Sequence, residues 1–320
     1  MSESTPNQRL KSRLPRVVCI VGATASGKTA LSLKLAKAFQ GEIINADARQ
    51  SYQYFTIGTG KPPGQRGMFM RRRAYLVQDV PHYLMDFLPP THQVTVAEWK
   101  DMALKAIRGI TRRQHLPLVV GGTGLYVTAL IDNFTFPKVE AKPHLRAAFE
   151  NKSLDELVAL LLKLDPAAAE AVDLKNPRRV IRALEVSTFT GQPFTALKRR
   201  GKPVVEAFQI GIQWPRAELY GRIEHEIDDM IERGWIDEIR EIIKLKIPLD
   251  APAMTAIGYR ELLAYVKGQS ALEEAIAGCK QAVRRYAKRQ ESWYGRDPRI
   301  HWAQNEDEAF QMVEEWLAEN

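Results

Sequence analysis

A glycine-rich segment near the start of the chain constrains its fold more than any other feature. Residues 22–29, GATASGKT, match the pattern G-x-x-x-x-G-K-[ST] in full. The β-branched run VVCIV (17–21) precedes this segment, and apolar residues at helical spacing follow it. A strand, a glycine loop and a helix in this order are typical of a phosphate-binding loop, in which backbone amides and a helix N-terminus surround an anion. A glycine-rich turn that matches by chance is the alternative.

Each residue type in this loop has its own expected task. Lys28 supplies a mobile positive charge for phosphate oxygens, and the Thr29 hydroxyl is the candidate ligand for Mg²⁺. Because most such loops bind ATP or GTP, a kinase or NTPase is the first interpretation. The predicted phosphate-binding residues are Gly22, Ala23, Thr24, Ala25, Ser26, Gly27, Lys28 and Thr29.

Further apolar runs predict the fold class. EIINA (42–46), LPLVV (116–120) and FQIGIQW (208–214) read as buried strands, and a helix is predicted around 96–113. Strands that alternate with helices indicate an α/β protein with a P-loop-type parallel sheet flanked by helices. Ligands of such sheets bind at the carboxyl ends of the strands.

The sequence pattern changes at about residue 133, where a segment contains prolines and lacks the apolar runs that are typical of strands. Helical patterns follow at 144–150, 153–163, 166–172 and 176–191. We therefore predict a helical insertion domain at 133–205 within a catalytic core formed by 16–132 and 206–320, after a disordered tail at 1–15. Beyond residue 214 the remainder reads as helical, with one apolar stripe that ends at Gly234. The stripe consists of Leu219, Ile223, Ile227, Met230 and Ile231.

Composition excludes several classes of protein. The two cysteines, Cys19 and Cys279, lie far apart, and the six histidines form no ligand-spaced pair, so neither a disulfide framework nor a zinc site is expected. No apolar run approaches the 18 residues that a membrane span needs, and a cytoplasmic protein is expected. The net charge of +8 favours a polyanionic partner.

The strand ends lack one residue that an NTPase usually carries. LPLVV runs into GGTG, with no acid to hold magnesium. Asp47, after EIINA, is the nearest acid, and the sequence leaves open whether it is a magnesium ligand, a general base or a helix N-cap. Thr123 in GGTGLY offers a hydroxyl at the same sheet edge, although such a segment is also an ordinary turn.

Two basic clusters favour a phosphodiester backbone as ligand, with a solvated helix face as the alternative. Arg178 and Arg182 share one helix face, with Arg179 beside them, while Val180 and Ile181 turn away. The second cluster repeats every four residues near the C-terminus, interleaved with aromatic residues. It contains Lys280, Arg284, Arg285, Lys288 and Arg289.

Several ordered motifs together resemble the tRNA dimethylallyltransferases, also called tRNA isopentenyltransferases, over roughly 16–303. In chain order the motifs are GATASGKT, NADARQSY, IGTGKP, PHYLMDF, GGTGLY, PRRVIRALE, AIGYRE and RYAKRQESWY. The resemblance implies transfer of a dimethylallyl group from dimethylallyl diphosphate to N6 of the adenosine 3′ of the anticodon. It also implies Mg²⁺ as cofactor, a helical insertion that grips the anticodon stem-loop, and base flipping into a channel. With no γ-phosphate to cleave, a strand-end acid is not needed.

The resemblance also implies roles for single residues. Asp47 matches the catalytic base, Thr123 matches the threonine that bonds the bridging oxygen, and Lys28 and Arg260 stabilise the diphosphate. Arg146 matches an arginine of the insertion. The segments that match tRNA-contacting regions comprise Asp47, Ala48, Arg49, Gln50, Arg178, Arg179, Val180, Ile181, Arg182, Thr255, Ala256, Ile257, Gly258, Tyr259 and Arg260.

The chain departs from the family pattern at three points. Ala48 stands where a serine is usual, which removes a hydroxyl from the substrate side. Asn176 stands for an aspartate before the arginines, so a cap or salt bridge is expected to be missing, and Ala23 replaces a proline. The sequence carries no zinc-finger pattern, which favours a bacterial-type enzyme, and we expect a monomer.

Three alternatives remain at this point. An adenylate isopentenyltransferase acting on free AMP, ADP or ATP would have a related core but would not need the basic clusters. A P-loop small-molecule kinase would follow from the glycine loop alone. A tRNA-binding protein without transferase activity would follow if the Ala48 change abolished catalysis.

Overall fold

The computed structural model describes residues 14–135, 143–197 and 199–319, so the tail expected at 1–15 lies almost wholly outside the described residues. The chain divides into two compact units. One comprises Met1–Ile131 with Val204–Asn320, and the other comprises Asp132–Pro203.

The secondary structure of both units follows the chain order. The strands are β1 (Arg16–Val21), β2 (Gly41–Asn45), β3 (Gln65–Phe69), β4 (Arg72–Val77), β5 (Val80–Tyr83), β6 (Leu116–Val120), β7 (Phe134–Thr135), β8 (Arg199–Arg200), β9 (Glu206–Ile212) and β10 (Ile300–Ala303). The helices are α1 (Lys28–Ala38), α2 (Val96–Arg112), α3 (Gly124–Ile131), α4 (Pro143–Glu150), α5 (Leu154–Leu164), α6 (Ala168–Ala171), α7 (Pro177–Thr190), α8 (Phe194–Leu197), α9 (Arg216–Glu232), α10 (Trp235–Lys244), α11 (Tyr259–Val266), α12 (Leu272–Tyr294) and α13 (Glu306–Ala318). A 3₁₀ turn spans Pro252–Thr255.

The larger unit is built on an eight-stranded sheet with the order β10-β9-β1-β6-β2-β5-β4-β3. The strands from β10 to β5 pair in parallel, and β4 and β3 extend the sheet in antiparallel fashion. The apolar run of β1 is buried on both faces, as expected for a parallel strand covered by helices. Val17, Cys19 and Val21 pack against α2 and α3, whereas Val18 and Ile20 pack against α1 and α13. The predicted α/β class and parallel sheet are confirmed.

Two parts of the sheet were not predicted. The segment 65–83 forms β3, β4 and β5, but β3 and β4 carry exposed arginines and β5 is only four residues long, so none of them shows a clear apolar strand pattern. The expectation that everything after residue 214 is helical is wrong, because Ile300–Ala303 forms β10 beside β9. This strand is only four residues long and half exposed, which hides it from pattern analysis.

The hairpin of β3 and β4 ends the sheet on one side. It turns at Met70 and Arg71, both of which have positive φ angles. Arg66, Arg71, Arg72 and Arg73 on this hairpin are all exposed. One of them, Arg66, bonds to the Asp86 carboxylate 2.5 Å away, which also pairs with the buried Lys61.

Helices α9 to α12 form a second core beside the sheet. The predicted stripe on α9 is confirmed, since Leu219, Ile223, Ile227 and Met230 are buried. Gly234 separates α9 from α10 with a φ of 95°, a conformation that glycine adopts without strain. The two cysteines are buried and unpaired as expected, and burial raises the pKa of each thiol to about 12.

One carboxylate ties α10 to the loop at residues 56–58. Glu238 accepts hydrogen bonds from the backbone N–H groups of Thr56 (2.7 Å), Ile57 (2.7 Å) and Gly58 (3.2 Å), and from the Tyr259 hydroxyl (2.6 Å). Successive N–H groups that point to one anion are a strong backbone arrangement, here satisfied by a side chain of the chain itself. Glu238 thereby joins two of the motifs that carry the family resemblance, IGTGKP and AIGYRE.

The smaller unit is helical, with a two-stranded pair formed by β7 and β8. Its core is an apolar cluster to which α5 and α7 contribute most, including Leu157, Leu161, Val180 and Leu184. Asn176 caps α7, since its side chain accepts from the N–H groups of Arg178 and Arg179. The cap that the sequence departure at this position was expected to remove is therefore present, because asparagine caps helices as well as aspartate.

Replacement of Glu238 by alanine should destabilise the larger unit. Three backbone donors and one hydroxyl would lose a charged acceptor, and we expect the free energy of unfolding to fall by about 2–4 kcal/mol. Urea unfolding followed by tryptophan fluorescence measures this change. Glu241→Ala on the same helix is the control, because Glu241 is exposed and pairs only with Lys244; its effect should stay below about 0.5 kcal/mol. Equal effects of the two substitutions would contradict the role of Glu238.

Candidate active site

The glycine loop joins β1 to α1 at the carboxyl edge of the sheet. Gly27 precedes the first residue of α1 with a φ of 94°, and Ala25 also has a positive φ, of 60°. This left-handed backbone turns the amides at the start of α1 toward a common point, where the helix dipole also favours an anion. The Ser26 hydroxyl is buried and has no hydrogen-bond partner among the described residues. The loop thus has the form of an anion site.

Helix α9 and Trp214 hold this loop from outside. The Trp214 indole N–H donates to the Ser26 carbonyl (3.1 Å), and Arg222 donates to the Ala25 carbonyl (2.8 Å). The Arg222 guanidinium also lies 4.3 Å from the centre of the Trp214 ring. Because the carbonyls are engaged on the outer side, the loop conformation is fixed without a ligand.

Lys28 is the most perturbed cation of the site. Its ammonium donates to the Ala23 carbonyl. Burial lowers the pKa of Lys28 to about 8, against the opposing effect of the Asp47 and Glu226 carboxylates. Glu226 lies on α9, and burial raises its pKa while the charge of Lys28 lowers it. Two acids therefore act on the loop lysine: Asp47, which follows the end of β2, and Glu226, which comes from a helix.

Asp47 and Thr123 are brought together by the pairing of β2 with β6. The Thr123 N–H donates to the Ala46 carbonyl (3.1 Å), and the Ala48 N–H donates to the Thr123 hydroxyl (3.1 Å). One Asp47 oxygen accepts the N–H of Arg49 at 2.8 Å, which caps the turn 48–51. The N-cap interpretation of Asp47 therefore applies to only one of its two carboxylate oxygens. The segment that this oxygen caps is a turn and not a helix. The other oxygen lies near Gly122, 3.7 Å from where a Cβ of that glycine would be.

Helix α12 contributes two side chains to the same place. Gln290 hydrogen-bonds to both the glycine loop and the GGTG loop, through the Thr24 N–H and the Gly122 carbonyl (2.9 Å each). Tyr286, one turn earlier, hydrogen-bonds with Thr123. Burial raises the pKa of Tyr286 well above its usual range, so this phenol stays protonated at neutral pH.

These elements enclose a cavity of about 790 Å³ within the larger unit. Its polar lining includes residues 24–29, Asp47, Thr123, Glu226 and Gln290. The apolar part of the lining comes from α9 and its neighbours and contains Ile223, Ile227, Met230, Trp235, Ile257 and Val283. One end of the cavity therefore suits an anion, and a wall beside it suits a small hydrocarbon group.

The donor set of the cavity fits a hard cation. Hydroxyl and carboxylate oxygens are the ligands that Mg²⁺ prefers, and Mg²⁺ usually binds through one or two protein groups together with phosphate oxygens. Thr29 lines the cavity, and the unpartnered Ser26 hydroxyl lies next to it in the loop. Among the described residues no group of three or more His, Cys, Asp or Glu side chains is arranged to hold a metal ion.

The remaining predicted residues of the larger unit fall into two groups, those that line the cavity and those that lie outside it. Arg49, Gln50, Thr255, Ala256, Ile257 and Arg289 line the cavity, whereas Tyr259 is buried and bonds to Glu238. The Arg260 side chain is 90% exposed and pairs loosely with Glu261, outside the cavity lining. The expectation that Arg260 stabilises charge inside the site does not match this placement, and the arginines that line the cavity are Arg49, Arg222 and Arg289.

The basic row on α12 is smaller than its sequence suggests. Lys280 pairs with Asp228 at 2.7 Å, and Arg284 pairs with Glu224, both on α9. Arg285 and Lys288 are exposed, and the guanidinium of Arg289 lies 5.6 Å from the Tyr286 ring. Two of the five cations thus stabilise the contact of α12 with α9.

In the smaller unit the predicted arginines lie at the surface. Arg178 is exposed, while Arg146, Arg179 and Arg182 pair with Glu150, Asp173 and Glu185 at 3.2–3.3 Å. The pairs of Arg146 and Arg179 are exposed, so they contribute little stability and exchange readily for other anions, whereas the Glu185 partner of Arg182 is buried. Val180 and Ile181 came into the predicted RNA-binding set with their segment, but both side chains are buried in the apolar cluster. They stabilise the helix that carries the arginines.

Comparisons with known proteins agree with this geometry. A sequence profile described as IPP transferase matches residues 50–297, and one described as isopentenyl transferase matches residues 15–81. The chain belongs to the tRNA dimethylallyltransferase family. Curated tRNA dimethylallyltransferases of Carboxydothermus hydrogenoformans and Thermomicrobium roseum are 38% and 40% identical to it. These matches cover 94% and 89% of this chain, and 95% and 85% of the relatives.

Solved structures lead to the same family. The tRNA isopentenylpyrophosphate transferase of Bacillus halodurans superposes with a TM-score of 0.66 at 36% identity, covering 95% of this chain and 96% of that one. A eukaryotic dimethylallyltransferase acting on tRNA superposes with a TM-score of 0.72 at 27% identity, covering 87% and 69%. The resemblance inferred from the motifs is confirmed, and the chain is a transferase enzyme of the tRNA dimethylallyltransferase family. None of the described helices has the length and apolar character needed to cross a membrane.

Sequence reasoning missed several residues of the site. Gln290 follows Val283 and Tyr286 at helical spacing, so a polar residue stands in a buried stripe and needs buried partners. The position of Gln290 in this stripe is therefore a sequence signal for a buried polar contact. Glu226 sits between Ile223 and Ile227 on the stripe of α9, where the sequence gives no sign that it faces the loop lysine. Arg222 and Trp214 act on backbone carbonyls, which sequence patterns do not reveal.

The lowered pKa of Lys28 predicts a pH dependence for anion binding at this site. A bound diphosphate stabilises the ammonium form, so affinity should fall as the pH rises above about 8, where free Lys28 loses its proton. Calorimetric titration with inorganic diphosphate between pH 7 and 9.5 measures this. Because diphosphate itself titrates, Lys28→Arg is the control, since arginine stays charged throughout. Parallel profiles for the two proteins would contradict the assignment.

Proposed function

We propose that the cavity binds dimethylallyl diphosphate and transfers its dimethylallyl group to N6 of the adenosine 3′ of the anticodon in tRNA. The observation that carries this proposal is the joining of an anion-binding loop, an apolar wall and the Asp47–Thr123 pair in one cavity. The membership of the family supports the reaction type, and relatives named for their action on tRNA support the acceptor.

The diphosphate end of the donor would lie in the glycine loop. Backbone amides of residues 25–29, the Lys28 ammonium and Arg222 at the loop edge would balance its charge. Thr29 would be the protein ligand of Mg²⁺, with Ser26 beside it, and the cation would supply further charge neutralisation on the phosphate oxygens. The five-carbon group would rest on Ile223, Ile227, Met230 and Val283, which offer dispersion contacts and exclude water.

The chemical step exchanges one bond for another. N6 attacks C1 of the dimethylallyl group, the C1–O bond breaks, and diphosphate leaves with the bonding electron pair. The exocyclic amine of adenine is a weak nucleophile because its lone pair is delocalised into the ring. The Asp47 carboxylate would accept the N6 proton as the C–N bond forms.

Thr123 would support the leaving group. Its hydroxyl oxygen accepts the Ala48 N–H and the hydroxyl also hydrogen-bonds with Tyr286, and in the complex its hydrogen would turn to the bridging oxygen. Since charge accumulates on that oxygen as the C1–O bond breaks, a donor fixed there stabilises the transition state more than the ground state. The Ala48 departure leaves this contact intact, because it uses the backbone.

The tRNA would be held by basic surface residues. We assign the anticodon stem-loop to the arginines of the smaller unit, namely Arg146, Arg178, Arg179 and Arg182, and to Arg285, Lys288 and Arg289 of α12. Arg49, Gln50 and residues 255–257 would surround the flipped base at the cavity. We infer that the protein acts as a monomer, and we place the reaction in the cytoplasm with its tRNA substrate.

Transfer of label separates this function from its rivals. The protein is incubated with Mg²⁺ and dimethylallyl diphosphate labelled in its carbon chain, with unmodified tRNA or AMP as acceptor. We expect label in tRNA, and nuclease digestion should locate it on the adenosine 3′ of the anticodon. Label in AMP alone would indicate an adenylate isopentenyltransferase, and ATP hydrolysis without transfer would indicate a kinase-like protein. Either result would overturn the proposal.

Asp47→Asn should lose most of the transfer activity while tRNA binding stays within about threefold. The amide keeps the size of the side chain and the acceptor for the Arg49 N–H, but it does not accept a proton, and loss of a general base typically costs about 10²–10⁴-fold. Single-turnover transfer and filter binding measure the two quantities. Asp79→Asn, at an exposed turn, is the control. Wild-type turnover by Asp47→Asn would exclude Asp47 as the base.

A further inference from the structure

We propose that Gln290 is a positioning residue that sets the spacing between the glycine loop and the Asp47–Thr123 pair. This inference rests on the proposed function, because the two parts would hold the two ends of one donor molecule. The glycine loop would fix the diphosphate, and the pair would act at the bridging oxygen and the incoming amine. Gln290 joins these parts directly.

The bridge uses both atoms of one carboxamide. Gln290 is 4% exposed; its Oε1 accepts the Thr24 N–H and its Nε2 donates to the Gly122 carbonyl, each at 2.9 Å. Only a group with an acceptor and a donor side by side satisfies both loops. Among the described residues, no other side chain hydrogen-bonds to both the 22–29 loop and the 121–124 loop.

The neighbouring backbone is shaped around this side chain. Gly122 has no room for a side chain, because a Cβ there would lie 2.1 Å from the Gln290 nitrogen. The carbonyl that Gln290 holds belongs to the peptide bond that leads into Thr123. The same threonine accepts the Ala48 N–H and hydrogen-bonds with Tyr286, one turn earlier on α12. A displacement of Gln290 would therefore move Thr123 relative to the loop.

Loss of the Gln290 bridge should lower the rate of the transfer step. Each loop keeps its own internal contacts, namely the Trp214 and Arg222 bonds on one side and the β2–β6 pairing on the other. Loss of the bridge should therefore leave both loops folded but shift their relative position. A misplacement of about 1 Å between reacting groups costs about 10²-fold in rate. Binding of a diphosphate alone needs only one of the two loops.

Two variants and a control test the inference. Gln290→Met keeps the volume and removes both hydrogen bonds, and Gln290→Glu keeps the acceptor but donates only when protonated. Gln281→Met and Gln281→Glu on the exposed face of the same helix are the controls. Single-turnover transfer to tRNA, inorganic diphosphate affinity and the thermal midpoint are measured for each. For Gln290→Met we expect transfer to fall about 100-fold, with diphosphate affinity within about threefold of wild type.

Gln290→Glu supplies a pH readout that a merely structural role would not give. A buried carboxyl beside a carbonyl has a raised pKa, and its protonated form restores the donor to Gly122. The ratio of variant to wild-type transfer rate should rise about tenfold from pH 8 to pH 6. This ratio cancels every pH effect that the variant and the wild-type protein share. The Gln281 variants should show a flat ratio.

The outcomes separate failure of the inference from failure of the proposed function. Wild-type protein that labels no tRNA would reject the function. Transfer by Gln290→Met at the wild-type rate, or an equal loss of transfer and diphosphate affinity, would reject the positioning role. Should Gln290→Met unfold, a flat rate ratio for Gln290→Glu would still reject it.

Discussion

The close approach of two strand ends at Gly121 and Ala46 is the constraint on which the site depends. A Cβ on Gly121 would lie 2.2 Å from the Ala46 carbonyl carbon, so only glycine lets the end of β6 pass so near the end of β2. The strand pairing continues past both strands, because the Ala46 N–H bonds to the Val120 carbonyl and the Thr123 N–H returns to Ala46. Asp47 and Thr123 are thus fixed as a pair by backbone contacts before any ligand binds.

Helices then complete what the strand ends begin. The glycine loop belongs to β1, yet one of the two acids that act on its lysine, Glu226, comes from α9, and its link to Gly122 comes from Gln290 of α12. A nucleotide hydrolase needs an acid aligned with a γ-phosphate and a water molecule, which a strand end provides. A transferase that only holds a leaving group needs neutralisation around the diphosphate and a base on the far side. The distribution of charge in the cavity follows the second requirement.

The sequence predicted the parts of the fold that have a local signal. Buried parallel strands are continuous apolar runs, and the glycine loop has fixed spacing, so both were found near their observed bounds. The exposed strands β3, β4 and β10 have no such signal. Contacts between distant segments were not predicted either. Lys280 and Arg284 pair with acids that lie 52 and 60 residues away in the sequence, and Glu238 binds backbone groups about 180 residues away. Motif similarity predicted Asp47 and Thr123, which the structure brings together, and Arg260, whose side chain is exposed and outside the cavity lining.

The arginine-rich hairpin of β3 and β4 has a consequence for the behaviour of the chain at high concentration. As the last strand of the sheet, β3 leaves one row of backbone donors and acceptors without a strand partner, and Met68 beside them is exposed. Such an edge is a template for sheet extension by a second copy. Arg66, Arg71, Arg72 and Arg73 oppose it, because docking two identical hairpins would bring eight guanidinium groups together around one Asp86 carboxylate from each copy. We therefore expect the charged hairpin that ends the sheet to disfavour association of two copies through this edge.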